Sequence, residues 1–299
     1  MRGLSGNTLG IMLMILSTAC FTINDSLLKL AMHELPPFEA LFLRGIGSTF
    51  LGLPLLAALG YLRFVPRMLD GRVQIRNLLE LTAAMGFVAG LAYVPIADLT
   101  ALGQTSPLLL LIGTMVFFRE KLTGLQIGLI VLAFAGALLV AQPGASGFSP
   151  YTLFGLWSAA AVAARDLVGR RIKLEIPGLV IAVGAGIIEI IGAGLAGLLL
   201  ESWTMPSPIT LAFAMGSSVF LILAHWLLLN AYRAATVAAV VPFLYVSTIW
   251  ALISGMLIFG TFPNALALGG IAVIMASGVA VVALERWPRK AVVSDGHPL

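Results

Sequence analysis

Ten stretches of about twenty residues, nearly free of charge and separated by short breaks, constrain this chain more than any other feature of its sequence. They run over 8–32, 38–62, 74–94, 99–118, 122–141, 150–168, 177–200, 208–232, 235–260 and 264–285. At 1.5 Å per residue, about 20 apolar residues cross about 30 Å of hydrocarbon, so each stretch is long enough to span a bilayer as a helix. Lipid-exposed backbone must satisfy its own hydrogen bonds, which leaves helices or a closed barrel. A barrel requires period-two alternation, which these stretches lack. Prolines mark the breaks (Pro36, Pro37, Pro66, Pro95, Pro143, Pro150, Pro177, Pro206, Pro208, Pro263), several at helix starts where a missing N–H costs nothing.

Composition agrees. The 299 residues are 60% hydrophobic and only 10% charged, whereas a water-facing surface carries roughly 25–35% charged residues. Such a chain is not a nucleic-acid binder, a disordered polymer or an ordinary soluble enzyme, even with a formal charge of +4. Position matters more than sum. Of 17 Lys and Arg, 15 fall on one side of the proposed membrane (Arg2; Arg63, Arg67, Arg72, Arg76; Arg119, Lys121; Arg165, Arg170, Arg171, Lys173; Arg233; Arg286, Arg289, Lys290) and none on the other. The remaining two, Lys29 and Arg44, lie inside stretches. By the positive-inside rule both termini are expected in the cytoplasm.

The chain also repeats itself. An offset of 141 residues aligns Asn24 and Asp25 with Arg165 and Asp166, Lys29 with Arg170, Glu34 with Glu175, Pro36 with Pro177, Phe118 with Phe259 and Gly128 with Gly269. Five spans per copy is an odd number, so the second copy must enter the membrane from the opposite face. Expected is an all-α polytopic protein of ten transmembrane helices in two inverted five-helix repeats, 8–141 and 150–285, followed by a cytoplasmic tail, 286–299. Inverted repeats are the usual plan of alternating-access carriers.

Charged groups inside the bilayer are the functional candidates. Asp25 and Lys29 stand four apart on one helix face, where they either pair to fix the helix end or line a polar path and change partners between states. Arg44, two turns into the second span, needs a partner such as Asp25 or a substrate anion. Glu80, Gln104, Trp157, Asn230, Ser247, Thr248 and Trp250 are further interior polar or aromatic positions, with Tyr93, His225, Trp226 and Tyr245 preferred because their rings lie deep. Glu189 sits among Gly184, Gly186, Gly192, Gly194 and Gly197, a setting that reads as a close helix contact. One cysteine, Cys20, excludes an intrachain disulfide, and three distant histidines give no metal pattern. The sequence has no nucleophile elbow or phosphate-cradling loop, so neither catalysis nor ATP hydrolysis is expected and no cofactor is implied.

Residues Phe21 to Asp25 with Lys29, then Pro36, Pro37, Glu39 and Arg44, resemble the drug/metabolite transporter superfamily, specifically its EamA family. Pro107, Phe117, Phe118, Arg119, Glu120 and Gly128 resemble the end of its first repeat. Gly216 to Ser218, Ala239 to Phe243, Tyr245, and Gly255 to Gly260 with Pro263 resemble a bacterial subgroup of S-adenosylmethionine or riboflavin uptake transporters. Thr261 departs from the pattern, where an acidic residue usually precedes the proline turn. The resemblance covers residues 8 to 285. It implies a bacterial inner-membrane carrier with a central cavity faced by Asn24, Asp25, Tyr93, Gln104, Trp157, His225, Trp226 and Tyr245.

On this basis the chain is expected to move a small polar or amphipathic organic metabolite without ATP. Asp25, Lys29 and Arg44 would act in the outer half, and the counterparts Asp166 and Arg170 at a cytoplasmic gate. Uptake of a cofactor-like solute leads; export of amino acids or toxic metabolites is the alternative, and a scaffold or signalling protein without transport is the rival of a different class. Expected partners are the substrate and membrane lipids, with proton or exchange coupling and monomer or homodimer both open, and no nucleic acid.

Overall fold

A computed structural model describes residues 6–118, 123–141, 149–169, 171–173, 175–235 and 240–286. Among these residues the chain is helical, with no strand. The helices are α1 (Gly6–Ala31), α2 (Pro37–Ala58), α3 (Gly71–Leu91), α4 (Ile96–Gly103), α5 (Ser106–Phe118), α6 (Gly124–Ala141), α7 (Thr152–Gly169), α8 (Gly178–Leu200), α9 (Pro208–Ala234), α10 (Val246–Phe259) and α11 (Ala265–Arg286). Among the described residues five segments are long and apolar enough to cross a membrane, namely Thr8–Ala31, Pro37–Ala58, Ile96–Phe117, Gly178–Leu200 and Pro208–Leu228. Shorter apolar helices cover Ile127–Val140, Phe243–Phe259 and Ala265–Ala280. The remaining long helices, α3 and α7, carry Arg72, Arg76 and Glu80, and Arg165 and Asp166.

Local signals explain the boundaries. Pro36 and Pro37 open α2, the Asp70 carboxylate accepts the Arg72 N–H to cap α3, and Ser207 caps α9 by accepting the Thr210 N–H. Gly260 ends α10 in the left-handed region at φ 61°, where a side chain would be strained. The fourth apolar stretch is not one rod. It breaks between α4 and α5 at Gln104 and Thr105, after Gly103 and before Pro107, because proline cannot donate to the preceding turn. The ninth is also irregular, entering α10 through a 3-10 turn at Val241–Tyr245. The Gln104 amide joins the two irregularities by donating to the Leu244 carbonyl (3.4 Å) and the Ser247 hydroxyl.

Packing is chiefly pairwise: α1 lies along α9, α3 along α7, α2 along α8 and α6 along α11, while α4 touches α10. Small residues set the closest approaches. A Cβ added at Gly270 would stand 2.5 Å from the Gly136 carbonyl oxygen, so α6 and α11 meet backbone to backbone. At one end of the bundle Leu28, Leu35, Ala40 and Leu41 pack with Val88, Ala193 and Ala214; at the other, Leu56, Met68 and Val73 pack with Ile176, Val180 and Val183.

A mesh of carboxylates ties the α1–α2 corner to the α8–α9 corner. Glu201 accepts the N–H groups of Phe38 (3.0 and 3.1 Å) and Glu39 (3.1 Å), the free donors at the start of α2. Glu39 accepts the Thr204 N–H (3.0 Å), and Glu34 accepts from the N–H (3.2 Å) and hydroxyl (3.1 Å) of Ser207. Hydrogen bonding from Thr210 and Ser207 holds the Glu34 carboxyl below the usual carboxylate range.

Candidate functional site

Charged side chains converge where α2, α3, α8 and α9 meet. Arg44 on α2 is buried and its Nε donates to Glu189 Oε1 on α8 at 3.0 Å. Gly45 and Gly186 make this possible, since α2 and α8 approach closely enough that a Cβ on Gly186 would lie 2.7 Å from the Thr49 hydroxyl. On α3, Glu80 accepts from Arg76 Nη2 (2.8 Å) and from Arg165 Nη1 of α7 (2.9 Å). Arg165 also donates to Asp166 (2.8 Å), and Arg76 to the Asn77 side-chain carbonyl (2.9 Å). Two linked ion-pair groups thus bridge α2 to α8 and α3 to α7.

Arg44, Ser48, Arg76, Glu80, Glu189 and His225 are the polar lining of a cavity of about 70 Å³ between these helices. At roughly 10–15 Å³ of such volume per water, it has room for a few solvent molecules. Small-molecule pockets are usually about 300–1,000 Å³, so admitting an organic solute requires the helices to part. His225 forms one wall; its Nδ1 contacts the Leu221 carbonyl oxygen at 2.8 Å and its ring meets Phe21 edge-on at 5.0 Å. Among the described residues no cluster of His, Cys, Asp or Glu suits a metal ion.

The ten cavity candidates named from sequence do not all gather here. Arg44 and His225 line the cavity. Asn24 and Asp25 lie on α1, joined by the Asn24 amide donating to Asp25 Oδ1 at 2.8 Å. Lys29 does not bond Asp25: its ammonium donates to the Leu91 and Val94 carbonyls, both at 2.7 Å, and lies over the Phe259 ring. It therefore serves the carbonyl end of α3, where a cation is favoured by the helix dipole. Gln104 bridges to the start of α10. Tyr245 is 1% exposed, buried against Gly278, with no partner for its hydroxyl. Tyr93 is 60% exposed and stacks on Tyr151 with centroids 3.9 Å apart. Trp157 and Trp226 are likewise exposed, Trp157 with an edge against Gly86. Of the two gate candidates, Asp166 pairs with Arg165, and Arg170 lies outside the described residues.

Beside Arg44, the cavity's charge comes from Glu80, Glu189 and Arg76, with Arg165 holding Glu80 from α7; the sequence singled out Glu80 as an interior polar position and Glu189 as a helix contact, and named neither Arg76 nor Arg165 as a cavity position. A signal existed. Glu80 and Glu189 are acids deep in apolar stretches, each of which needs a cation, and Arg76 precedes Glu80 by one turn.

Residues 8–142 match the EamA-like transporter family. A riboflavin transporter of Rhizobium johnstonii is 29% identical over 211 residues, covering 68% of each chain. An S-adenosylmethionine uptake transporter of Rickettsia prowazekii is 24% identical over 279 residues, 93% of each chain. A pseudopaline exporter of Pseudomonas aeruginosa is 27% identical over 288 residues, 93% of this chain and 96% of its own. A solved crystal structure with 18% identity superposes with a TM-score of 0.65 over 92% of this chain and 96% of that one, a likeness of fold.

Proposed function

We propose that this EamA-family membrane protein, a transporter relative and not an enzyme, is a secondary carrier that moves a small polar or amphipathic organic metabolite by alternating access around the Arg44–Glu189–Glu80 cavity. The ten-helix inverted repeat, 8–141 and 150–285 with a tail over 286–299, is part of the proposal. In it α4 with α5, and the 3-10 turn with α10, each count as one span. Support comes from the pairing of helices: the 141-residue offset turns the α1–α9 pair into the α7–α3 pair and leaves α2–α8, α6–α11 and the α4–α10 contact as self-related pairs. Two halves related this way can rock about a shared centre.

The observation that carries the function is the polar cavity held between ion pairs on separate helices. Buried ion pairs contribute little net stability, because desolvation offsets most of their attraction. Their value here is that they can be exchanged: Arg44, Glu80 and Glu189 can give up one another to contact a solute or to separate two helix pairs. Asp25, Lys29 and the Gln104 crossing then lie on the outer and central path, and Asp166 with Arg170 at the inner gate. Tyr93, Trp157, Trp226 and Tyr245 are path residues that helix separation would bring to the solute.

Cofactor-like uptake is favoured by the riboflavin and S-adenosylmethionine relatives, and export by the pseudopaline relative, which matches nearly the whole chain. The basic loops favour a bacterial inner-membrane location with cytoplasmic termini. Labelling of single cysteines at Asp70 and Ser202 from each side of intact cells tests that topology; access from one and the same side refutes it. Function is tested in proteoliposomes with riboflavin, S-adenosylmethionine and amino acids. Saturable flux of one of them, abolished by Glu80→Gln, is expected. No flux of any, with a junction that stays dry in every condition, would favour a scaffold.

A further inference from the structure

Among the described residues deep in the bundle the buried charges balance except at one; Glu39, the other buried acid without a cation, lies at the start of α2 and accepts the Thr204 N–H (3.0 Å). Arg44 is bonded to Glu189, and Arg76 and Arg165 are bonded to Glu80 and Asp166. Lys29 sits on two carbonyls and within electrostatic reach of Asp98. Asp25 is the acid left over. Arg44 acts on it at a distance, but that guanidinium gives its Nε to Glu189, so two carboxyls share one arginine. Asp25 accepts a hydrogen bond from a neutral amide, that of Asn24.

The elements packed on α1 offer no further cation among the side chains described. On α9 the facing group is His225, one turn below Asp25 through Phe21; on α2 they are Glu39 and Arg44; α10 has no charged residue; the 3-10 turn has Tyr245. Glu189 and Glu80 face Arg44 from α8 and α3, adding negative charge to the same region. A second observation points the same way. Asn24 is 1% exposed, and its Oδ1, an acceptor, has no hydrogen-bond partner. An orphan acceptor beside an unpaired carboxylate in low dielectric is a strained arrangement unless a positively charged donor completes it.

We propose that Asp25 and Asn24 form a binding site for one positive charge per transport cycle, either the protonated amine of the solute or a coupling proton, with Arg44 able to turn from Glu189 to Asp25 when that charge departs. The proposal rests on the carrier reading for its role in transport, while binding itself is measurable without transport. Charge balance works in both directions: with the cation bound, Asp25 is neutralised and Arg44 stays with Glu189; without it, Arg44 is drawn to Asp25 and loosens the α2–α8 bridge.

Purified wild-type protein, Asp25→Asn and Asp25→Ser are compared by infrared spectroscopy of the carboxyl C=O stretch and by thermal stabilisation with n-butylammonium. If the charge is a proton, the wild type shows a protonated-carboxyl band that both variants lack. If it is an organic amine, n-butylammonium stabilises the wild type, and its apparent Kd rises about tenfold or more in both variants through loss of one charge-assisted hydrogen bond. Identical carboxyl bands and identical n-butylammonium responses in all three proteins would overturn the proposal. Absence of flux in proteoliposomes with these binding signals intact would instead count against the carrier function alone.

Discussion

Removing one side of the Arg44–Glu189 pair tests whether that contact holds α2 to α8. At 3.0 Å and an effective dielectric constant of about 20, the gross attraction is about 5.5 kcal/mol, most of it offset by desolvation, yet deleting one partner strands the other. Breaking a buried pair in this way costs roughly 3–5 kcal/mol. The two sides are not equivalent. After Glu189→Gln, Arg44 still has Asp25 within electrostatic reach, so the loss should fall near the lower figure. After Arg44→Gln, Asp25 and Glu189 both lose their cation, so the loss should reach the upper figure. The double variant Arg44→Gln, Glu189→Gln should be less destabilised than the sum of the singles by about 2 kcal/mol or more. Reversible unfolding in bicelles, followed by steric trapping or by denaturant titration, measures all four proteins. Additive losses within about 0.5 kcal/mol, or equal costs for the two singles, would refute the claim that Arg44 is shared between two acids.

Other outcomes follow from packing and capping. Gly270→Ala places a Cβ against the Gly136 carbonyl and should force α6 and α11 apart, costing about 1–3 kcal/mol in the same unfolding assay; an unchanged stability would show that the crossing is loose. Glu201→Ala removes the acceptor for the Phe38 and Glu39 N–H groups and should cost about 0.5–2 kcal/mol, with faster amide exchange at the start of α2 as the local readout. The Glu34 carboxyl is depressed in the folded state, so its tether to Ser207 is fully present above the unfolded carboxylate pKa and is lost as pH falls through the lower folded value. Exchange around 202–207, corrected for intrinsic rates, should therefore rise in acid for the wild type and be pH-insensitive in Glu34→Gln.

Much of the architecture is written in the sequence through composition and position. Apolar length locates the helices, and Pro36, Pro37, Asp70 and Ser207 mark their starts, because those signals are local. The split between α4 and α5 was also legible in Gly103 and Pro107, but hydropathy runs smoothly across both and conceals it. The cavity was harder to read. Arg44 and Glu189 are 145 residues apart, and Arg165 and Glu80 are 85 apart. Sequence shows that each needs a partner without showing which helix supplies it. Lys29 illustrates the same limit. Its spacing from Asp25 permits an ion pair, yet a flexible four-carbon stem reaches equally well to free carbonyls at the end of α3, and that contact occurs.

The interruption at Gln104 divides one membrane crossing into two levers of unequal length. The shorter arm, α4, has 8 residues and is about 12 Å long at 1.5 Å per residue. Swinging it by about 20° about the joint would carry its far tip about 4 Å, and because α4 packs on both α7 and α10, with Ile96, Leu99 and Leu102 buried, those two helices would have to move with it. Any opening at that surface would then be a joint motion of α4 with α7 and α10 and not a tilt of the whole rod through lipid. Because Gln104 fastens that joint to the other irregular crossing, motion of either lever is felt at the root of the other.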